Sequence, residues 1–287
     1  MKKLLVIILA VLAVTACSTD DAYNLDYFTQ KYGRPGNGEV VDTTDTTSVI
    51  TEPDTLFLNI AYNGTSADIS GDVEKVTINQ KGADVTITST TEKYLQLTLS
   101  GSTDDGSLLV HSQKAWGLVM NGVSITNLDG PAINNQCGKW LYVTLADSTE
   151  NKLTDGESYA EQSFDQKGTF FSEGQIRFAG AGTLTVEGNA KNGIASDDYI
   201  VIDGGTITVN VEETGSNGIK VNDGFTMNDG TLNISVTADA ARGIKSDARV
   251  TISGGAMTIT TFGDCETEVV DGVPEHLVFN RTVGLRS

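Results

Sequence analysis

Three stretches of 18 residues, starting at Asn192, Asn217 and Arg242, align without a gap at a constant spacing of 25 residues. Each opens on Asn192-Gly193-Ile194, Asn217-Gly218-Ile219 or Arg242-Gly243-Ile244 and passes through an Asp/Asn-containing turn. Two short alternating apolar runs follow around a glycine corner, as in Ile200 and Ile202, then Ile207 and Val209. An alternating run buries one face only, so a single unit leaves apolar surface in water and must stack on copies of itself. Ile194 and its equivalents seed a third strand. Three strands per period, all running the same way, predict an all-β fold, a single-stranded parallel β-helix (solenoid) with ~25-residue coils. A leucine-rich repeat has a similar period, but its Leu-x-x-Leu-x-Leu frame is missing, and a propeller blade needs about 40 residues.

Looser copies extend upstream through Phe170-Phe171 with Leu184-Thr185-Val186, Leu141 to Leu145, Leu118 to Ile125, and Val76-Thr77-Ile78 with Val85-Thr86-Ile87. Residues 56 to 262 then make roughly eight coils, a stack about 40 Å tall whose flat flanks suit extended ligands.

The two ends depart from this texture. Met1-Lys2-Lys3 precede the apolar run Leu4 to Val14, which is too short to span a bilayer, and Ala16 precedes Cys17. This pattern resembles the lipobox of bacterial lipoproteins, which implies that Cys17 is acylated and becomes the new N-terminus. Ser18-Thr19-Asp20-Asp21 is similar to the acidic signal that sends some lipoproteins to the outer cell surface, so the expected location is the outer membrane, facing outwards. Residues 18 to 54 carry Gly33, Pro35, Gly36, Gly38 and repeated Asp-Thr triplets, and read as a flexible tether. The triplets resemble an O-glycosylation sequon, with a solvated spacer as the alternative. The expected organisation is a signal peptide over 1–17, the tether over 18–54, the β-helix over 55–270 and an atypical tail over 271–287. His276 to Ser287 reads as no strand of the series, and is expected to be a truncated chain rather than an unusual cap.

Charge narrows the partners. The formal net charge is −19, and −21 once Lys2 and Lys3 leave with the signal. Nucleic acid and anionic membrane surfaces are therefore poor partners, leaving the lipid anchor as the only expected membrane contact, and a monomer is expected. Two histidines, His111 and His276, exclude a three-His zinc centre and leave little for a histidine dyad. Cys137 and Cys265 make no disulfide framework and read as buried thiols.

The coil motif Asn-Gly-Ile-x-x-Asp/Asn, the Gly-Gly-Thr-Ile half-coil at Gly204, Met120-Asn121-Gly122-Val123-Ser124-Ile125-Thr126, and the segment Leu145 to Gly156 together resemble a known family. It is the bacterial extracellular carbohydrate-binding domain with a polysaccharide-lyase-like right-handed parallel β-helix. The resemblance runs from about residue 70 to 263. It implies binding of polysaccharides such as cellulose and acidic pectate, with calcium as cofactor. Ala195 departs from the pattern, standing where the next two coils have lysine.

Stacked repeats place equivalent residues in columns. Asp197, Asn222 and Asp247 form one column, with Asp198 and Asp223 beside it, at a turn where oxygens converge. Carboxylates about 4.8 Å apart along a ladder can share a calcium ion, which wants six to eight oxygens; the alternative is an Asn/Asp ladder bonding its own turns. A cation is expected on electrostatic grounds, since a chain at −21 repels an anionic glycan. Lys220 and Lys245 occupy one coil position and either grip a uronate carboxylate or relieve an acidic face; in a lyase such a lysine would abstract the C5 proton. Trp140 and Tyr142 alternate with Leu141 and Val143, so both rings are expected to project outwards, stacking on sugars or covered by a neighbouring segment. Trp116, in step with Leu118 and Met120, is expected inside. The resulting expectation is non-catalytic polysaccharide binding at the cell surface; the alternatives are a polysaccharide lyase and an adhesin or structural stalk.

Overall fold

A computed structural model describes residues 54–264 and 283–286. The signal peptide with Cys17, the tether up to Pro53, and Cys265 lie outside the described residues. The first coil holds β1 (Thr55–Gly64), β2 (Ala67–Gly71), β3 (Val76–Lys81) and β4 (Ala83–Ser89). The second holds β5 (Tyr94–Thr103) and β6 (Gly106–Ser112), the third β7 (Trp116–Thr126) and β8 (Ile133–Asn135). Three-strand coils follow: β9 (Leu141–Leu145), β10 (Glu150–Thr154), β11 (Gly168–Ser172); then β12 (Ile176–Gly180), β13 (Thr183–Gly188), β14 (Asn192–Ser196). Next come β15 (Tyr199–Ile202), β16 (Thr206–Val211), β17 (Ile219–Val221), and β18 (Gly224–Met227), β19 (Thr231–Val236), β20 (Arg242–Ser246). The last coil holds β21 (Val250–Ile252), β22 (Ala256–Thr261) and β23 (Val283–Arg286). The protein is a parallel β-solenoid of about seven turns, without helices among the described residues.

From the second coil onwards the strands pair in parallel with strands one coil away, as Ile194 with Ile219 and Ile219 with Ile244. In the third coil one long strand does the work of two: Trp116 to Met120 pairs with β9, whereas Ser124 to Thr126 pairs with β10. First and second strands thus share a 14-stranded sheet, and third strands form a separate nine-stranded sheet.

The alternating residues do what the pattern demanded. Ile194, Ile200, Ile202, Ile207 and Val209 are fully buried in one continuous core. Trp116 is buried as expected, and its indole N–H donates to Asn135 Oδ1 at 3.1 Å, meeting the need of a buried donor for a partner. The Gly-Gly-Thr corner has a steric cause. Gly205, Gly230 and Gly255 stack at φ of +82°, +90° and +80°, and a Cβ on Gly230 would lie 2.7 Å from the Gly205 carbonyl oxygen. Only glycine takes that conformation against a neighbouring backbone without strain.

Two expectations at the ends are corrected. Val76–Ile78 and Val85–Ile87 are not a parallel coil pair: β3 and β4 form an antiparallel hairpin, with Ile78 opposite Ile87, and β2 folds back antiparallel on β1. Among the described residues no coil precedes the first, and there the chain turns back on its own edges. At the other end Val283–Arg286 is a strand of the series, pairing in parallel with β20 through Ile244 and Leu285, although the tail was expected to hold none. Its short Val-Gly-Leu-Arg run lacks the Asn-Gly-Ile signature, which is why the repeat pattern missed it.

Coil length is not constant. Leu141 is in register with Ile176, 35 residues on, whereas Leu232 pairs with Met257 after 25. The surplus goes into the connection 155–167 between β10 and β11, the longest such connection described.

Candidate functional site

The column expected from the repeats exists and is longer than expected. Ser172, Ser196, Val221 and Ser246 are in register, so Glu173, Asp197, Asn222 and Asp247 follow them as a stack at the turn after β11, β14, β17 and β20. Backbone amides hold the stack in step: Glu173 donates to Asn135 O, Asp197 to Ser172 O, and Asp247 to Val221 O. Glu173 escaped the sequence reading because the coil it belongs to has a different length; the Ser172-Glu173 and Ser196-Asp197 pairs were the available signal.

Side chains in the column satisfy one another. Asn222 Nδ2 donates to Asp197 Oδ1 at 3.5 Å, while Lys220 Nζ donates to Asn222 Oδ1 at 2.8 Å and to Asp247 Oδ2 at 2.6 Å. Beside it, the Asp223 amide donates to Asp198 O, and Gln175 Nε2 donates to Asp198 Oδ2 at 2.6 Å. Burial first, and then the facing Asp223 carboxylate, raise the Asp198 pKa above the usual carboxylate range. Lys220 and Lys245 stand in register as expected. The upstream members of their column are Ala195 and Phe171, both buried.

The long loop completes the site with residues the sequence reading did not single out. Asp165, Glu173 and Asp197 bring carboxylate oxygens within 4.8 Å of one another. Lys167 Nζ lies between two of them, 2.5 Å from Asp165 Oδ2 and 2.5 Å from Asp197 Oδ2, and 5.3 Å above the Phe171 ring centroid. Desolvation works to lower the Lys167 pKa, but its two carboxylate bonds outweigh this and raise it, so the amine stays charged. Glu173 is raised by desolvation first and by the Asp197 charge second. No local motif marks Asp165 or Lys167; a non-repeating insertion carries them to the column.

Next to this cluster lies a groove of about 500 Å³ along the outer face of the third-strand sheet, with Ala195 in its floor and Lys167, Lys191, Lys220, Asp197, Asn222 and Asp247 around it. The departure at Ala195 is what leaves this space: a lysine there would fill it. A larger hollow of about 640 Å³ lies on the 14-stranded sheet near Gly122 and Thr185. Among its lining residues, the buried Asn151 accepts from the Gly122 and Val123 amides and donates to Thr183 O, so that residue serves the fold. The charged groove is the better site.

The aromatic expectation needs correction. Trp140 and Tyr142 do lie outside the solenoid core and stack at 6.0 Å with 14° between ring planes. Yet Tyr142 is only 1% exposed, packed in a small cluster with Tyr94, Ala115 and Ala179, and Trp140 is half-buried against the same cluster. Tyr94, lying over Gly117, helps cover the ring, so Tyr142 offers no face to a ligand. The pair also belongs to the 14-stranded sheet, not to the sheet that carries the lysines. Cys137 is buried, as expected, and its thiol donates to Lys114 O at 3.4 Å. No helix among the described residues is long and apolar enough to cross a membrane.

An all-oxygen donor set with a carboxylate cluster fits a hard cation such as calcium, subject to Lys167 giving up the space between Asp165 and Asp197. Similar proteins point to glycans. A protein of Acetivibrio thermocellus described as carbohydrate-binding domain-containing is 37% identical over 115 residues, 38% of this chain and 40% of that protein. The chain thus matches less than half the length of that curated relative. A solved structure, a gadolinium derivative of the polysaccharide lyase-like protein from C. thermocellum, superposes with a TM-score of 0.61 at 26% identity, covering 72% of this chain and 92% of the other. Residues 81–272, from the first-coil hairpin to just past the last charged coil, match the family profile, and the chain belongs to the family of carbohydrate-binding domain-containing proteins.

Proposed function

We propose that the protein binds an acidic polysaccharide of the pectate type, without cleaving it, in the groove along β11, β14, β17 and β20. The observation that carries this reading is the arrangement of Lys167, Lys191 and Lys220 around a groove whose other rim is carboxylate. Lysines meet uronate carboxylates directly, and a calcium ion would join protein and glycan carboxylates where like charges otherwise repel. Glu173, Asp165 and Asp197 would hold that ion, with Asp198 and Asp223 as a neighbouring pair. Affinity electrophoresis through gels containing polygalacturonate, with calcium or with chelator, tests the reading: retarded migration that calcium strengthens is expected. Unretarded migration in both gels, with no binding to cellulose either, removes it.

A lyase is the second reading, favoured by the lyase-like relative. It needs a neutral lysine as base, and two of the groove lysines are engaged by carboxylates: Lys167 is held charged by Asp165 and Asp197, and Lys220 is tied to Asn222 and Asp247. A rising ultraviolet absorbance on polygalacturonate with calcium, from the unsaturated product, would overturn the non-catalytic assignment.

The groove would be displayed outside the cell by acylation of Cys17. Metabolic labelling with an alkyne-bearing palmitate is expected to tag the protein and to fail in Cys17→Ser.

A further inference from the structure

We infer that Lys191 is a glycan-gripping residue of the groove and that Tyr159, from the 155–167 loop, is the residue that positions it. The inference rests on the groove being the glycan site. Among the groove lysines, Lys167 and Lys220 are each within salt-bridge distance of a carboxylate. Lys191 has no carboxylate partner among the described residues. Its ammonium sits 4.8 Å above the Tyr159 ring centroid and donates to the Gln166 carbonyl oxygen at 2.5 Å. An ammonium has three donors, and neither a ring face nor a carbonyl neutralises its charge. In a strongly acidic chain, Lys191 is therefore a cation held in place for an anionic partner that the protein does not itself supply.

The support beneath it is built. Tyr159 O–H donates to Asp155 Oδ2 at 2.6 Å, and Asp155, 1% exposed, also accepts from the Asn189 amide at 2.6 Å. Asn189 Nδ2 returns a bond to the Asp155 carbonyl at 2.7 Å, so the loop is tied to the turn that carries Lys191 itself. Further along, Gln166 Nε2 donates to Ala160 O and the Ala160 amide to Asp129 O, closing the loop on itself and on the preceding coil. A long flexible side chain loses much rotamer freedom on binding, and a ring plus a carbonyl that restrain it beforehand lower that cost. The insertion that breaks the 25-residue period thus has a use: it brings an aromatic support to one lysine of the groove.

The test reads polygalacturonate binding beside the reactivity of the amine. Lys191→Met is expected to weaken binding about ten-fold, the loss of one charge-assisted contact. Tyr159→Leu is expected to weaken it about three-fold, and in the Lys191→Met background to add less than two-fold, because its effect runs through Lys191. In amine acylation read by mass spectrometry, Lys191 should react several-fold faster in Tyr159→Leu than in the wild type, while Tyr159→Phe, which keeps the ring, should react like wild type. Binding by Lys191→Met within two-fold of wild type overturns the gripping role, and a Tyr159→Leu loss that persists in full without Lys191 overturns the positioning role. If the wild type binds no polygalacturonate, the groove reading fails and the gripping role with it. The acylation rates then still decide whether Tyr159 restrains Lys191.

Discussion

Two flanks of the same solenoid share a backbone period and differ in everything a ligand would meet. On the second-strand face, β13, β16, β19 and β22 present Thr183 and Thr185, Thr206 and Thr208, Thr231 and Asn233, and Ala256 and Thr258 in register. Glu187 is the one charged residue among the outward positions of those four strands, and it lies 4.0 Å from Lys152. On the third-strand face the same coils carry Lys191, Lys220, Lys245, Asp197 and Asp247, joined by Lys167 from the coil before. Both faces fulfil the demand for alternation equally well, because that demand concerns the buried side chains. The outward positions were free, and only one flank filled them with charge. Stacked charges lie about 4.8 Å apart and repel unless paired or bridged, so a charged column persists where it serves binding, and a hydroxyl column costs nothing to keep.

The largest expected effect would abolish the comparison itself. Gly230→Val places a branched side chain at φ +90° and against the Gly205 carbonyl oxygen, at the corner just before β19. A loss of about 3 kcal/mol or more is expected, read as a fall in the melting temperature that impairs both faces together.

Next, charge on one face should matter and hydroxyls on the other should not. Lys220→Met is expected to weaken polygalacturonate binding about ten-fold, since it removes a groove cation and one donor each from Asp247 and Asn222. A combined Thr185→Ala, Thr208→Ala and Asn233→Ala variant should bind within two-fold of wild type. Equal losses would mean the glycan spans both flanks.

A smaller effect appears with pH. Glu173 and Asp198 have pKa values raised above 4.5 and 3.8, chiefly by desolvation, so their folded forms hold a proton more tightly than the unfolded chain does. The stability this contributes is fully present below the unfolded values and is lost as pH rises through the raised folded values. The charged face should therefore gain stability on mild acidification from neutral pH, before general acid unfolding begins. Asp155 is also raised by desolvation and adds with the same sign. The double variant Glu173→Gln, Asp198→Asn should melt higher at pH 7 and lose most of the acid-induced gain. An undiminished gain would place its origin outside the column.

The smallest expected shift comes from calcium. Titration should raise the melting temperature by a few degrees at most at millimolar ion, and Lys167→Met should make the shift occur at lower concentration by freeing Asp165 and Asp197. The same titration on Lys220→Met sharpens the assignment, because Lys220 does not touch Asp165 or Glu173.

What the sequence determined by itself was the part that repeats. Alternation of Ile200, Ile202, Ile207 and Val209, the glycine corners and the 25-residue spacing demand stacking, and stacking converts spacing into columns, so Asp197, Asn222, Asp247, Lys220 and Lys245 were legible beforehand. What only the tertiary structure decided lies where the period breaks. The surplus residues of the 35-residue coil bring Asp165 and Lys167 onto the column and Tyr159 against Lys191, and Tyr94 covers the Tyr142 ring from two coils upstream. The first coil turns its edges back on itself, and Val283–Arg286 returns to pair with β20. A repeat dictates contacts between equivalent residues because identical coils share one register; a loop of unique sequence has no equivalent, so its contacts follow from the shape of the surface it meets.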